Sequence, residues 1–552
     1  MKNVLFCIIV LVFFSSLKAQ ENNKNTDEVK IVFDENPKLV IGIVVDQMRY
    51  DYLTRFYNKF GQGGFKRLLS QGFNCENTHF NYIPTYTAVG HASIYTGTTP
   101  SMHGIIGNDW YDRNLKEMIY CVDDDNYHTV GAKKGGKKSP KRLQVTTITD
   151  ELKLSVKGKG KTIGISLKDR SAILPAGHNA NAAYWFRGKK DAKFITSSFY
   201  MNKLPKWVTE FNNSSRAKDF LKVWKPLYSL DSYTESIADN NDFERCFKGE
   251  KSPTFPHDFP KLMEENGNYD LLKVSPFGNS LLERFAEAAI KGEGLGKDDI
   301  TDFLAISFSS TDYIGHQYGP ESKEIEDTYL RLDKDIERFL LFLDKEVGIG
   351  NYSLFLTADH AVASNPSYLQ EQNINAGYFE TKKFIKYLNS VTKKYFNSDE
   401  LIENVSNSQI FLNIDKIEEL DLDYEKVTKT IKDKAILFDG VYKTVTAETL
   451  QTTPFSSGVL GAVRNGYNQK YSGDIIIITM PAMLYTKMKG TTHGSAYTYD
   501  THVPLLFFGK GFKQGNTKKY IPIIDIAPTI SSLLNIEFPN TCSGNIITEV
   551  LK

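Results

Sequence analysis

Six short apolar runs set the rhythm of this chain: Leu39–Val45, Thr162–Leu167, Phe303–Phe308, Ser353–Thr357, Asp474–Thr479 and Pro504–Phe508. Each is near-continuous in Ile, Val, Leu and Phe rather than alternating. Strands buried on both faces have that pattern, as in a parallel sheet covered by helices. Between the third and fourth runs, Ile325, Tyr329, Leu332, Ile336, Leu340 and Leu343 recur with helical period. Glu324 and Glu326 fall in the first turn of this helix, where they suit its dipole, and Gly348 and Gly350 follow its end. Strand, helix and strand make one unit of an α/β fold. The pattern therefore predicts an α/β protein with a largely parallel central sheet flanked by helices. The long stretches at about 180–290 and 366–470 break the rhythm, and are read as insertions that cap the sheet. The second contains helical patterns at Thr381–Tyr395 and Asp423–Lys434.

The N-terminus has a different character. Lys2 precedes an unbroken apolar run from Val4 to Phe14, and Ser15, Ser16 and Ala19 supply small residues for a cut after Ala19. The run is too short to span a bilayer and reads as a secretory signal, which predicts export to the periplasm or beyond. The domain reading is therefore a signal peptide at 1–19 and a single catalytic domain at 20–552. Removing 1–19 takes away Lys2 and Lys18 and moves the formal charge from +1 to −1. At 41% hydrophobic and 24% charged, the chain can bury a core, and nothing in its overall charge points to nucleic acid or a membrane surface. Cys75, Cys121, Cys246 and Cys542 show no CxxC spacing, which argues against a cysteine zinc site. Export leaves room for up to two disulfides or for free thiols. The basic segment Gly131–Arg142 (GAKKGGKKSPKR) reads as a solvated loop.

The chemistry follows the runs. LVIGIVV ends in Asp46. FLAISFSST leads to Asp312, with His316 four residues on. SLFLTADH ends in Asp359 and His360, and KGTTHG brings His493 shortly before the last run. Ligands of α/β sheets bind beyond the carboxyl ends of the strands, so these groups share one edge. A lone Asp after a strand is usually a cap or turn residue. Three Asp and three His together make two nitrogen- and oxygen-rich sites suited to Zn²⁺, with Mn²⁺ and Fe²⁺ as competitors. The segment PTYTAVGHASIYTGTTPSMHGIIGNDW adds Thr85 and Thr87 as candidate nucleophiles. A threonine hydroxyl is too weak an acid to attack unaided, and metal coordination is one way to activate it.

The segments VVDQMRYDY, PTYTAVGHASIYTG, HGIIGNDWY, SLKDRSAILPAGH, STDYIGHQYGP, TADH and GTTHG resemble the alkaline phosphatase superfamily. Within it they are most similar to bacterial periplasmic zinc monoesterases with a threonine nucleophile. The likeness runs from about residue 38 to 550. It implies two Zn²⁺ ions: one held by Asp312, His316 and His493, the other by Asp46, Asp359 and His360 with Thr87 completing it. It implies Thr87 rather than Thr85 as the nucleophile, and a covalent phosphothreonine. Asn108, Lys168 and Arg170 are then expected to contact phosphoryl oxygens, while Asp169 is expected to be structural. Lys168 and Arg170 supply charge that a monoester dianion uses and a diester does not. The expected substrates are therefore small phosphate monoesters, hydrolysed to alcohol and inorganic phosphate with broad specificity. A phosphodiesterase or nucleotide pyrophosphatase of the same superfamily is the first alternative. A secreted, non-catalytic phosphate- or metal-binding protein is the second. A sulfatase would need a C/S-x-P-x-R segment, absent near Thr87. The family commonly has Gly after the Asp-His pair. This chain has Ala361, which would strain His360 if that backbone needs a positive φ.

Overall fold

The computed structural model describes residues 36–486 and 488–552, so the expected signal at 1–19 lies outside the described residues. Its centre is a mixed sheet of eleven strands. Five adjacent strands are parallel, in the order Tyr352–Thr357, Leu39–Val45, Asp302–Phe308, Thr162–Ser166 and Ala182–Arg187. Every residue of the first four is buried, which explains why they show no alternation. Leu39 pairs with both Tyr352 and Asp302, so the ends of these strands are level and their following loops emerge side by side. The helix predicted between two of them spans Lys323–Leu343, capped by the Ser322 side chain accepting from the Ile325 N–H.

Three expectations change. The run ending at Phe508 forms the strand Leu505–Gly509, which is antiparallel to Tyr352–Thr357 and closes the parallel block. The run Asp474–Thr479 is not in the central sheet at all. Ile475–Thr479 lies in a separate four-stranded antiparallel sheet with Ile402–Ser406, Gln409–Leu412 and Val441–Thr446. Ile475 and Ile477 pack with Phe384, Leu388, Val427 and Ile431, whereas Ile476 and Ile478 pack with Leu450 and Val463. Both faces are covered, so this strand carries the same continuous apolar pattern without being parallel. Finally, the stretch 180–290 is not all cap. Ala182–Arg187 and Lys193–Ser197 extend the central sheet as a hairpin, and Pro276–Glu293 is a helix with much of its surface buried.

The four cysteines outside the N-terminal segment are unpaired, Cys75 and Cys121 in the interior and Cys246 exposed. Among the described residues no helix is long and apolar enough to cross a membrane.

Candidate metal centre and nucleophile

The parallel strands deliver their next residues to one edge, as the sequence pattern predicts. Asp46 directly follows Leu39–Val45, and its N–H is bonded to the Phe308 carbonyl across the sheet. Lys168 sits just beyond Thr162–Ser166, its N–H held by Ser166 Oγ at 3.1 Å. Asp312 and His316 lie one turn apart on the helix Ser310–Tyr318, and Asp359 and His360 follow Tyr352–Thr357. His493 enters from a loop.

Two clusters of ligand atoms result. Asp46, Asp359 and His360 have ligand atoms within 4.8 Å of one another, as do Asp312, His360 and His493. His316 Nε2 is 3.2 Å from Asp312 Oδ1, and His493 Nε2 is 3.6 Å from the same oxygen. His360 thus stands between the two sets rather than in one alone, with its ring stacked on His493 at a centroid distance of 3.4 Å. The Nδ1 atom of each histidine is 2.6–3.0 Å from a backbone carbonyl: His316 from Thr491, His360 from Ala361 and His493 from Thr85. A donated Nδ1–H in each case fixes the tautomer that leaves Nε2 as a lone-pair donor.

The charges call for cations. Three buried carboxylates, Asp46, Asp312 and Asp359, face one ammonium, Lys168, whose Nζ is 2.6 Å from both Asp46 Oδ2 and Asp312 Oδ2. Burial, with the Asp359 and Asp312 charges, pushes Asp46 well above the usual carboxylate range despite Lys168. Burial also opposes the Asp312 charge, but His316, Lys168 and His493 outweigh it and hold that group well below the usual range. Burial, then the neighbouring His360 and His316, push His493 well below the usual histidine range. Among the described residues Asp46 Oδ1 and Asp359 Oδ2 are buried with no hydrogen-bond partner, although His91 Nδ1 stands 3.3 Å from Asp359 Oδ2. Such carboxylate oxygens beside imidazole nitrogens are what a divalent metal would satisfy, so the residues present fit a metal centre.

Thr87 opens the helix Thr87–Thr96, all ten residues of which are buried. Its Oγ1 is 3.5 Å from both His360 Nε2 and Lys168 Nζ. Thr85 is engaged elsewhere, its hydroxyl donating to the Ser495 carbonyl and its own carbonyl facing His493. The helix start directs partial positive charge at whatever Thr87 Oγ1 carries. Asn108 Oδ1 accepts from the Ala88 N–H at 2.9 Å, which ties this side chain to the first turn of the same helix.

Lys168 is buried and Arg170 half-buried. Lys168 is 4% exposed and remains charged because Asp312 and Asp46 overcome its burial. Arg170 Nη1 donates to Tyr120 Oη at 3.0 Å, and that hydroxyl donates to Asp169 Oδ1 at 2.6 Å. Lys138, from the basic segment expected to be solvated, pairs with Asp169 at 3.2 Å and lies 4.4 Å over the Tyr120 ring. Asp169 is therefore a positioning residue for Arg170. Ala361 is not among the residues with positive φ, so the strain anticipated there is absent. Its N–H donates to the Asp500 carbonyl and its carbonyl orients His360.

Comparison with known proteins bears on this geometry. Residues 40–503 match the type I phosphodiesterase / nucleotide pyrophosphatase family. Alkaline phosphatase PhoV of Synechococcus elongatus is 44% identical over 100% of this chain and 100% of that protein. Alkaline phosphatase PafA of Elizabethkingia meningoseptica is 44% identical over 93% of this chain and 94% of that one. The crystal structure of PafA superposes with a TM-score of 0.90 at 43% identity, covering 94% of this chain and 99% of that chain. The chain belongs to the alkaline phosphatase superfamily. A protein of Myroides odoratus that carries the name calcium-transporting ATPase is also similar, 48% identical over 94% of this chain and 95% of its own.

Two positioning residues of this superfamily member escape a reading of the sequence. Gln47 holds φ at 66°, and from there its N–H reaches Asp359 Oδ1 at 3.2 Å and its Nε2 reaches Asp312 Oδ1 at 2.7 Å. One residue thus orients a carboxylate of each cluster. A non-glycine residue in the left-handed region signals such a role only once the backbone is known. His91 Nδ1 is 2.8 Å from the Thr87 carbonyl and 3.3 Å from Asp359 Oδ2, and its Nε2 is 2.9 Å from Ser307 Oγ. Its position one helical turn after Thr87 was visible in TAVGH, but its link to Asp359 was not.

Proposed function

We propose that this chain is an alkaline phosphatase that hydrolyses phosphate monoesters through a phosphothreonine at Thr87, with two Zn²⁺ ions held by the carboxylate and imidazole groups above. Asp312, His316 and His493 would hold one ion, and Asp46, Asp359, His360 and Thr87 the other. When bound, such ions lower the proton affinity of a hydroxyl and neutralise charge on the oxygens of the reacting phosphoryl group. The observation that carries this reading is the position of Thr87 Oγ1, at a helix start and 3.5 Å from Lys168 Nζ.

Thr87 Oγ1 attacks phosphorus. The new P–O bond forms as the bond to the ester oxygen breaks, and the departing alcohol takes up a proton. Water then attacks the phosphothreonine, inorganic phosphate leaves, and the Thr87 hydroxyl is restored. Two in-line displacements retain configuration at phosphorus. The Asn108 amide donates to one phosphoryl oxygen, with its carbonyl anchored by Ala88. Lys168 and Arg170 take the others, which favours a dianionic terminal phosphoryl group over a diester. A nucleoside triphosphate ends in such a group, so the ATPase name of one relative is compatible with the same chemistry. The apolar run behind Lys2 supports export, placing the mature enzyme in the periplasm or outside the cell.

The test compares p-nitrophenyl phosphate with bis(p-nitrophenyl) phosphate on zinc-loaded protein. The monoester should be the faster substrate, Thr87→Ala should abolish its turnover, and acid-quenched wild type should carry phosphate on Thr87. Near-normal turnover by Thr87→Ala overturns the covalent mechanism. Equal losses on both substrates in Lys168→Ala and Arg170→Ala overturn their role as monoester selectors.

A further inference from the structure

Lys168 and Arg170 line a cleft of about 470 Å³ that opens to solvent, and no step of the proposed reaction uses the other basic residues that line it. Its size falls in the range that holds small-molecule ligands. Arg170 lines it at the phosphoryl end, and Lys134, Arg187, Lys189 and Lys273 line it further out. The acidic residues there are already committed. Asp169 is bonded to Tyr120 and Lys138. Asp270 is shared between Lys189 and Lys273, 2.9 Å from each. Arg187 pairs with Asp191 at 2.8 Å, while exposed Lys134 makes no ion pair among the described residues. Positive charge is therefore left over after internal pairing, in a chain whose formal charge is only +1. Three separate segments supply it: the basic loop Gly131–Arg142 with Lys134, the end of Ala182–Arg187 and the turn after it with Arg187 and Lys189, and the short helix Asn268–Val274 with Lys273.

We infer that this cleft is a second anion subsite, which binds a further phosphate of a substrate whose other phosphate is being cleaved. The inference rests on the monoesterase reading and deepens it, because the cleft adjoins the phosphoryl site through Arg170. The favoured substrates are then small molecules carrying two or more phosphate groups. A monoester with a neutral leaving group gains nothing from the cleft. The loop binds through exposed lysines, so its effect falls on substrate capture rather than on the chemical step.

The experiment measures kcat and KM for fructose 1,6-bisphosphate and for p-nitrophenyl phosphate on the zinc-loaded full-length mature protein. The variants are Lys134→Ala/Lys189→Ala and Lys134→Glu/Lys189→Glu. Both positions are exposed, so the fold is not at risk. The alanine pair should raise KM for the bisphosphate roughly fivefold at low salt, and the glutamate pair should raise it further. Neither should change p-nitrophenyl phosphate turnover by more than about twofold. Unchanged bisphosphate KM, or parallel changes on both substrates, overturns the subsite. Failure of the wild type to turn over p-nitrophenyl phosphate is a different result. It would overturn the monoesterase reading and this inference with it.

Discussion

Lys168 should matter most to the protein when no metal is bound. Its ammonium is 2.6 Å from Asp46 Oδ2 and 2.6 Å from Asp312 Oδ2, and all three side chains are buried. At an effective dielectric constant near 20, each contact is a gross attraction of about 6 kcal/mol. Most of that offsets the desolvation of the ions. Removing one partner of such a group typically costs about 3–5 kcal/mol, because the remaining charges stay buried and unpaired. Unfolding entropy near 2 cal/mol/K per residue converts this, for a chain of this length, to a fall in Tm of about 4 °C. Metal ions on the same carboxylates supply the missing positive charge. Lys168→Met, which keeps the stem volume, should therefore lower Tm by about that amount in chelator-treated protein and by under about 1 °C when zinc-loaded. Differential scanning calorimetry of wild type and variant in both states provides the four values. An equal loss in both states, or no loss after chelation, would refute the view that metals and Lys168 compete for these carboxylates.

Other parts of the molecule give further tests. Gly90 packs so closely on the strand end that a Cβ there would lie 2.0 Å from the Asp359 carbonyl oxygen. Gly90→Ala should cost roughly 1–3 kcal/mol of stability and separate Thr87 from Asp359, which calorimetry and zinc stoichiometry would both register. Gln47→Gly keeps the unusual backbone but removes the bond to Asp312, so chelator competition should show roughly tenfold weaker zinc binding. Unchanged affinity would leave Gln47 without a positioning role. Burial lowers His257, but Glu250 and Glu324 outweigh it and raise this histidine from 6.5 to about 9. Its stabilisation is complete below pH 6.5 and lost as pH rises through 9, at most about 3 kcal/mol. Glu324, raised from 4.5 to about 7 mainly by burial, loses its own contribution earlier, as pH rises from 4.5 through 7. Tm should fall from pH 7 to 9.5 more steeply in wild type than in His257→Gln.

Much of the site was legible because α/β sheets place their chemistry at strand ends. Once the runs ending at Val45, Thr357 and Phe308 are recognised as buried parallel strands, Asp46, Asp359, His360 and Asp312 must lie together, and the structure brings them together. The apolar pattern also marked Ile475–Thr479 as a strand. It could not say which sheet that strand joins, because burial on both faces leaves the same signature in a parallel core and in an antiparallel cap. Nor could it choose between Thr85 and Thr87 without the family likeness. Their hydroxyls are separated only by the entry into a helix, which turns one towards Ser495 and the other towards His360 and Lys168.

What the sequence by itself determined is therefore the set of strands and the ligand types at their ends, since burial and periodicity are local properties of the chain. What only the tertiary structure decided are relations between distant segments. Gln47 spans two carboxylates 265 and 312 residues away, Lys138 turns inward to steady Asp169, and Ala361 supports His360 from an ordinary backbone conformation. Those relations depend on contacts made across the fold, and a contact between remote residues leaves no periodic trace in the sequence.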